Sequence, residues 1–126
     1  MWIQKKSDML KKENFTVGRQ IETLVANYIK KNHFRVIERN YRTLVGEIDI
    51  IATKKGVYHI IEVKYRHNLA YGYPREHVTP DKQRKIKRSA EYFFMVNKII
   101  EPRVSFDIAE VIGTDKKTIE LIENAF

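Results

Sequence analysis

The chain has no cysteine. That excludes disulfides, thiolate nucleophiles and cysteine-ligated zinc. No apolar run is long enough to span a bilayer, and no basic head followed by an apolar stretch marks the amino terminus. Charged residues there (Lys5, Lys6, Asp8, Lys11, Lys12, Glu13) mix with isolated apolar ones, so a cytoplasmic protein that does not enter membranes is expected. Internal repeats and low-complexity segments are also lacking.

What is present suits one compact domain. The 126 residues are 43% hydrophobic, enough for a core and too few for a second domain of ordinary size. Residues 1–14 are polar and irregular and read as a mobile arm or a short terminal helix; residues 15–126 form the single domain. Lys and Arg number 24 against 16 Asp and Glu, a net charge of +8. Such a surplus favours polyanions, with nucleic acid the commonest and a membrane surface next.

Periodicity gives the element order. Ile21, Leu24, Val25, Tyr28 and Ile29 recur at helical spacing, predicting a helix over about 15–32 with Asn14 or Thr16 as cap and Asn32 at its end. A strand from Phe34 to Thr43 follows, then a break at Leu44-Val45-Gly46. Two β-branched runs, 47–52 and 57–64, flank a turn at Lys54-Lys55-Gly56. Residues 65–78 read as a surface loop. Thr79-Pro80-Asp81 starts a helix to about Asn97, with Ile86, Ala90, Phe93, Phe94 and Asn97 on one face. Strands near 103–112 and 118–123 complete an α-β-β-β-α-β-β order, an α/β chain with a mixed sheet flanked by helices.

A two-residue loop at Lys55-Gly56 pairs Ile48 with Val63, Asp49 with Glu62, Ile50 with Ile61 and Glu47 with Lys64. One face is then apolar (Ile48, Ile50, Ile61, Val63) and the other gathers Glu47, Asp49, Glu62 and Lys64. Opposed carboxylates repel. Lys64 can offset that cost, and a divalent cation can do so better, since hard oxygen ligands suit magnesium or manganese. Such an ion lowers the pKa of a bound water and neutralises charge on a scissile phosphate, while an adjacent ammonium orients the water or stabilises the transition state. The plainer alternative is a set of solvated charges on an open sheet face.

Several segments follow one another in a familiar order: Gly18-Arg19-Gln20-Ile21-Glu22, Arg39-Asn40-Tyr41-Arg42, Gly46-Glu47-Ile48-Asp49-Ile50-Ile51, Ile61-Glu62-Val63-Lys64-Tyr65-Arg66, Val78-Thr79-Pro80-Asp81-Lys82-Gln83 and Arg103-Val104-Ser105-Phe106-Asp107-Ile108. Together they resemble the YraN-like family of predicted bacterial endonucleases, itself similar to archaeal Holliday-junction resolvases within the PD-(D/E)XK superfamily. The resemblance runs from about residue 15 to the C-terminus and implies a restriction-endonuclease-like fold. It implies Asp49 as an acidic metal ligand and Glu62 with Lys64 as the E-x-K pair, the Val63 carbonyl being a further candidate ligand. Glu22 matches an acid that helps to hold metal, and Gln83 a glutamine near the catalytic site. Ile48 stands where the superfamily name has proline.

Each of these also has a structural reading: Glu22 as a surface acid at the edge of the apolar stripe, Gln83 as a cap or bridge, and Glu47 as a partner of Lys64 or a supporting contact. Arg42, Lys82 and Lys87 are candidates for phosphate contacts. In the 65–78 loop Tyr65, Arg66, Tyr71, Tyr73 and Arg75 interleave aromatics with cations, as base stacking and backbone contact require, or as an ordinary loop does. His33, His59, His67 and His77 show no ligand spacing, and Asp107 has a structural or supporting role. The expected activity is metal-dependent endonucleolytic cleavage of DNA, branched DNA included, with a homodimer suggested by analogy. The competing reading is a non-catalytic nucleic-acid-binding module on the same fold. If the charge reports a polyanion partner, affinity for DNA should fall steeply with added salt in a filter-binding titration, as counterion release requires. Salt-insensitive binding would contradict it.

Overall fold

The structure is a computed structural model that describes residues 6–70 and 72–126. Helix α1 (Lys6–Lys31) leads into strands β1 (Arg35–Arg42), β2 (Glu47–Lys54) and β3 (Val57–Arg66). A short 3-10 turn (Pro74–His77) precedes helix α2 (Pro80–Val96), and strands β4 (Arg103–Ile112) and β5 (Thr118–Ile122) follow. The expected element order holds. The first helix begins well before residue 15, so neither Asn14 nor Thr16 caps it, and of the expected N-terminal arm residues 1–5 lie outside the described residues. Among the described residues no helix is long and apolar enough to cross a membrane.

The five strands form one sheet in chain order. β3 and β4 are parallel, because α2 crosses over between them, and every other pair is antiparallel. α2 begins as its sequence predicts: Thr79 Oγ1 accepts from Lys82 N at 3.2 Å, and Pro80 occupies the first turn, where a missing N–H costs nothing. It ends at Asn97, whose Nδ2 donates to Phe93 O at 2.9 Å. Asn97 is therefore a cap rather than core, and Ser89 is fully buried in its stead.

Helices cover both faces of the sheet, so both are apolar. Ile21, Val25, Ala26 and Ile29 of α1 pack on Ile50, Ala52, Ile61, Ala109 and Val111. Ile86, Ala90, Phe93 and Phe94 of α2 pack on Ile48, Ile51 and Ile60. The expected single apolar face with an open charged one is thus corrected: Ile48 belongs with the α2 side, whereas Ile50, Ile61 and Val63 lie toward α1. Leu24 and Tyr28, expected in the α1 stripe, are exposed, and Ala26 takes their place.

Strict alternation would put Ile48 and Ile50 on one face. They lie on opposite faces, so β2 departs from regular alternation at Asp49, between them. The segment before β2 is held close to α2. Thr43 Oγ1 lies 3.0 Å from Ser89 Oγ and accepts Gly46 N at 3.1 Å. A Cβ on Gly46 would lie 3.1 Å from Ser89 Oγ and 3.2 Å from the Lys85 carbonyl. Gly46→Val should therefore destabilise the protein by about 1–3 kcal/mol through overpacking, and Gly46→Ala by less, read by urea denaturation. Unchanged midpoints would show that this approach is not tight.

Candidate active site

The hairpin ladder between β2 and β3 runs from Lys54–Val57 to Ile50–Ile61 and stops there. The register is the expected one, but the pairs Ile48–Val63, Asp49–Glu62 and Glu47–Lys64 are not made. In their place Val63 N donates to Asp49 Oδ2 at 2.8 Å. A side-chain carboxylate has replaced a backbone carbonyl in the ladder, and the two strands part around it. A cleft of about 490 Å³ opens at this point between α1 and the strand ends, lined by Gly18, Glu22, Asp49, Glu62 and Arg66 among others.

Three carboxyl groups meet in this cleft under unfavourable conditions for charge. Burial pushes Glu62 up to about 7, and repulsion from Asp49 adds to it, against the pull of Lys82 and Lys64. Burial also pushes Glu22 up to about 7, with repulsion from Asp49 and Glu47 outweighing Arg39 and a hydrogen bond with Asn40. Asp49 is raised by burial as well, although the Val63 N–H favours its charged form. Glu22 Oε1 is buried and has no hydrogen-bond partner. Two ammonium groups face a single oxygen: Lys64 Nζ lies 3.8 Å and Lys82 Nζ 3.7 Å from Glu62 Oε1.

The other candidates scatter. Gln83 is at the start of α2, but its Nε2 donates to Val78 O at 3.0 Å, the bridging role. Glu47 pairs with Arg42 at 3.9 Å rather than with Lys64. Arg42 also lines a separate, largely apolar cleft of about 620 Å³ with Leu44, Val45, Tyr92 and Met95, larger than the acidic one but without converging acids. Lys87, a candidate phosphate contact, stacks its ammonium over Phe106 and Phe126 at 5.5 and 5.8 Å and does not line the acidic cleft. Arg75 is also corrected. Its backbone N and Nε donate to Glu110 Oε2 at 2.8 and 3.0 Å, its Nη2 donates to Glu110 Oε1 at 2.5 Å, and it stacks on Tyr73. The guanidinium is spent on a buried acid from β4, and it ties the 3-10 turn to the sheet. Tyr71 lies outside the described residues.

A second cluster, not visible in the spacing of the histidines along the sequence, lies toward the other end of β3. His59 Nδ1 lies 2.6 Å from Asp107 Oδ2 and 3.8 Å from Glu123 Oε1. Ligand atoms of these three residues lie within 4.8 Å of one another, a group that could hold a metal ion. Asp107 is otherwise occupied, since its Oδ1 accepts from Ser105 Oγ at 2.5 Å and Asn124 N at 3.1 Å. The signal lay in pairing rather than spacing: the parallel register sets Ser105 beside His59 and Asp107 beside Ile61, which only the β3–β4 match reveals.

The raised carboxyls predict a pH dependence. Glu22 and Glu62 hold protons in the folded chain up to about 7, against 4.5 ordinarily. Across that window the unfolded chain binds fewer protons, so stability falls as pH rises. Glu110 shifts the other way: burial would raise it, but its hydrogen bonds with Arg75 prevail and hold it below the ordinary range. Its contribution is lost only on acidification below the window. In chelator, Tm should decline from about pH 5 to about pH 8, and Glu62→Gln should flatten that decline. A Tm constant or rising over this range would contradict strained carboxylates.

The model of "Uncharacterised protein family UPF0102" matches residues 21–111, a span that contains Glu22, Asp49, Glu62, Lys64 and Lys82. A UPF0102 protein of Desulfosudis oleivorans is 45% identical over 109 residues, 86% of this chain and 88% of its own length. One of Lachnoclostridium phytofermentans is 42% identical over 110 residues, 86% of this chain and 91% of its own. One of Alkaliphilus metalliredigens is 40% identical over 111 residues, 88% and 97% respectively. The chain belongs to the UPF0102 family, the YraN-like family whose ordered motifs its sequence carries.

Proposed function

We propose that the chain is a metal-dependent endonuclease of the PD-(D/E)XK type that hydrolyses phosphodiester bonds in DNA, branched DNA included. The observation that carries this reading is the meeting of Glu22, Asp49 and Glu62 in one cleft, each carboxyl raised by burial and Glu22 Oε1 buried without a partner. A buried, unpaired acceptor among like charges is costly unless a cation completes it. The donor set is all oxygen, which suits magnesium or manganese. Glu22, Asp49 and Glu62 would hold the ion, with the Val63 carbonyl as a further candidate ligand.

When bound, the ion would supply Lewis acidity to the scissile phosphate and lower the pKa of a water. The chain's own residues supply the rest. The Val63 N–H fixes Asp49 through Oδ2, so the carboxylate is oriented before any ligand arrives. Lys64 is held beside Glu62 and can stabilise negative charge as water adds to phosphorus and the leaving oxygen departs with a proton. Arg66 lines the same cleft, where it can meet a phosphate, and the +8 charge favours a polyanionic substrate. Cutting two strands of a junction requires two such sites, which a homodimer would provide.

The test is a thermal-shift titration with magnesium and manganese, joined to cleavage assays on duplex, flap and four-way DNA. The wild type should gain several degrees in Tm by ligand linkage and cut at least one substrate. Asp49→Asn and Glu62→Gln should lose both responses. Lys64→Ala should keep the shift and lose at least about 100-fold in cleavage. A wild type that binds DNA but shows neither shift nor cleavage would support the non-catalytic module instead.

A further inference from the structure

We propose that Lys82 is a built-in counter-ion of the carboxylate cluster, occupying on Glu62 the place a divalent cation would take and turning to a substrate phosphate once that cation is bound. This rests on the metal-site reading above. Lysine in the first turn of a helix faces the positive end of the helix dipole, an unfavourable position. The Thr79 cap and Pro80 fix that first turn, so Lys82 cannot avoid it. The next cations along the helix are satisfied locally, Arg84 and Lys85 on Asp81 at 3.3 and 3.1 Å. Lys82 reaches across to the sheet and lies 3.7 Å from Glu62 Oε1.

That oxygen already has an ammonium beside it. Lys64 lies 3.8 Å away on the same strand as Glu62, so its position follows from the backbone. Lys82 comes from another element, and its side chain remains 44% exposed against 30% for Lys64. It therefore has open solvent to turn into. A divalent ion seated among the same carboxylates would repel both lysines, and Lys82, the more exposed of the two and borne on a separate element, has more room to turn away.

Binding of Mn2+ to the full chain without nucleic acid tests this, read from the loss of the free ion's paramagnetic resonance signal. Lys82→Met should tighten Mn2+ binding by about 10-fold, because a repelling charge is removed a few ångströms from the ion. Lys85→Met, which removes the same charge one turn fraction along the exposed face, should change it less than about 2-fold. In calcium, Lys82→Met should lower the salt dependence of DNA binding by about one unit of log–log slope. If wild type binds Mn2+ and Lys82→Met binds no tighter, or the slope is unchanged, the counter-ion role is overturned while the metal site stands. If neither protein binds Mn2+, the metal-site reading fails and this inference fails with it.

Discussion

The rest of the site depends on one hydrogen bond, from the Val63 N–H to Asp49 Oδ2. Up to Ile50–Ile61 the hairpin is an ordinary antiparallel ladder. Past that point continued pairing would bring backbone to backbone and leave no room for side chains between the strands. The carboxylate takes the place of the ladder acceptor, satisfies the donor and keeps the strands apart. A structural requirement, the pairing of a buried N–H, and a chemical one, the orientation of an acid, are met by the same atom.

The two-sided burial of the sheet explains why charge concentrates where it does. Both faces are filled by isoleucine, valine, alanine and phenylalanine side chains beneath α1 and α2. The acids of β2 and β3 gather where the ladder between the two strands stops. α1 brings Glu22 to that place and the first turn of α2 brings Lys82. The acids are half to fully buried by this convergence, which raises their affinity for protons and, on the proposed reading, for a divalent cation.

Elsewhere polar groups are spent on holding the chain together. Glu110 is buried on β4 and takes three donors from Arg75, so the segment between β3 and α2 is anchored over the sheet. Asp107 joins His59, Ser105 and the Asn124 backbone, and fastens the residues after β5 to the strands. These clusters differ from the acidic cleft in one respect: their acceptors have protein donors, whereas Glu22 Oε1 has none. The contrast separates a structural polar network from a group awaiting a ligand.

Much of this was determined locally and is readable from the residues themselves. Thr79-Pro80-Asp81 specifies the start of α2, Lys55-Gly56 specifies the turn with both residues at positive φ, and that turn sets the register through Ile50–Ile61. That register carries Asp49 and Glu62 to the same end of the hairpin, although the ladder stops before they pair. What lay beyond the sequence depends on elements distant along the chain. A helix over the second face moved Ile48 away from Ile50, and the parallel pairing of β3 with β4 assembled His59 with Asp107. Arg75 found Glu110 and Lys82 found Glu62 for the same reason. Local periodicity records which residues share an element and a face, but a long cation is satisfied by whichever acid the packing brings within reach, and that is decided only when the elements dock.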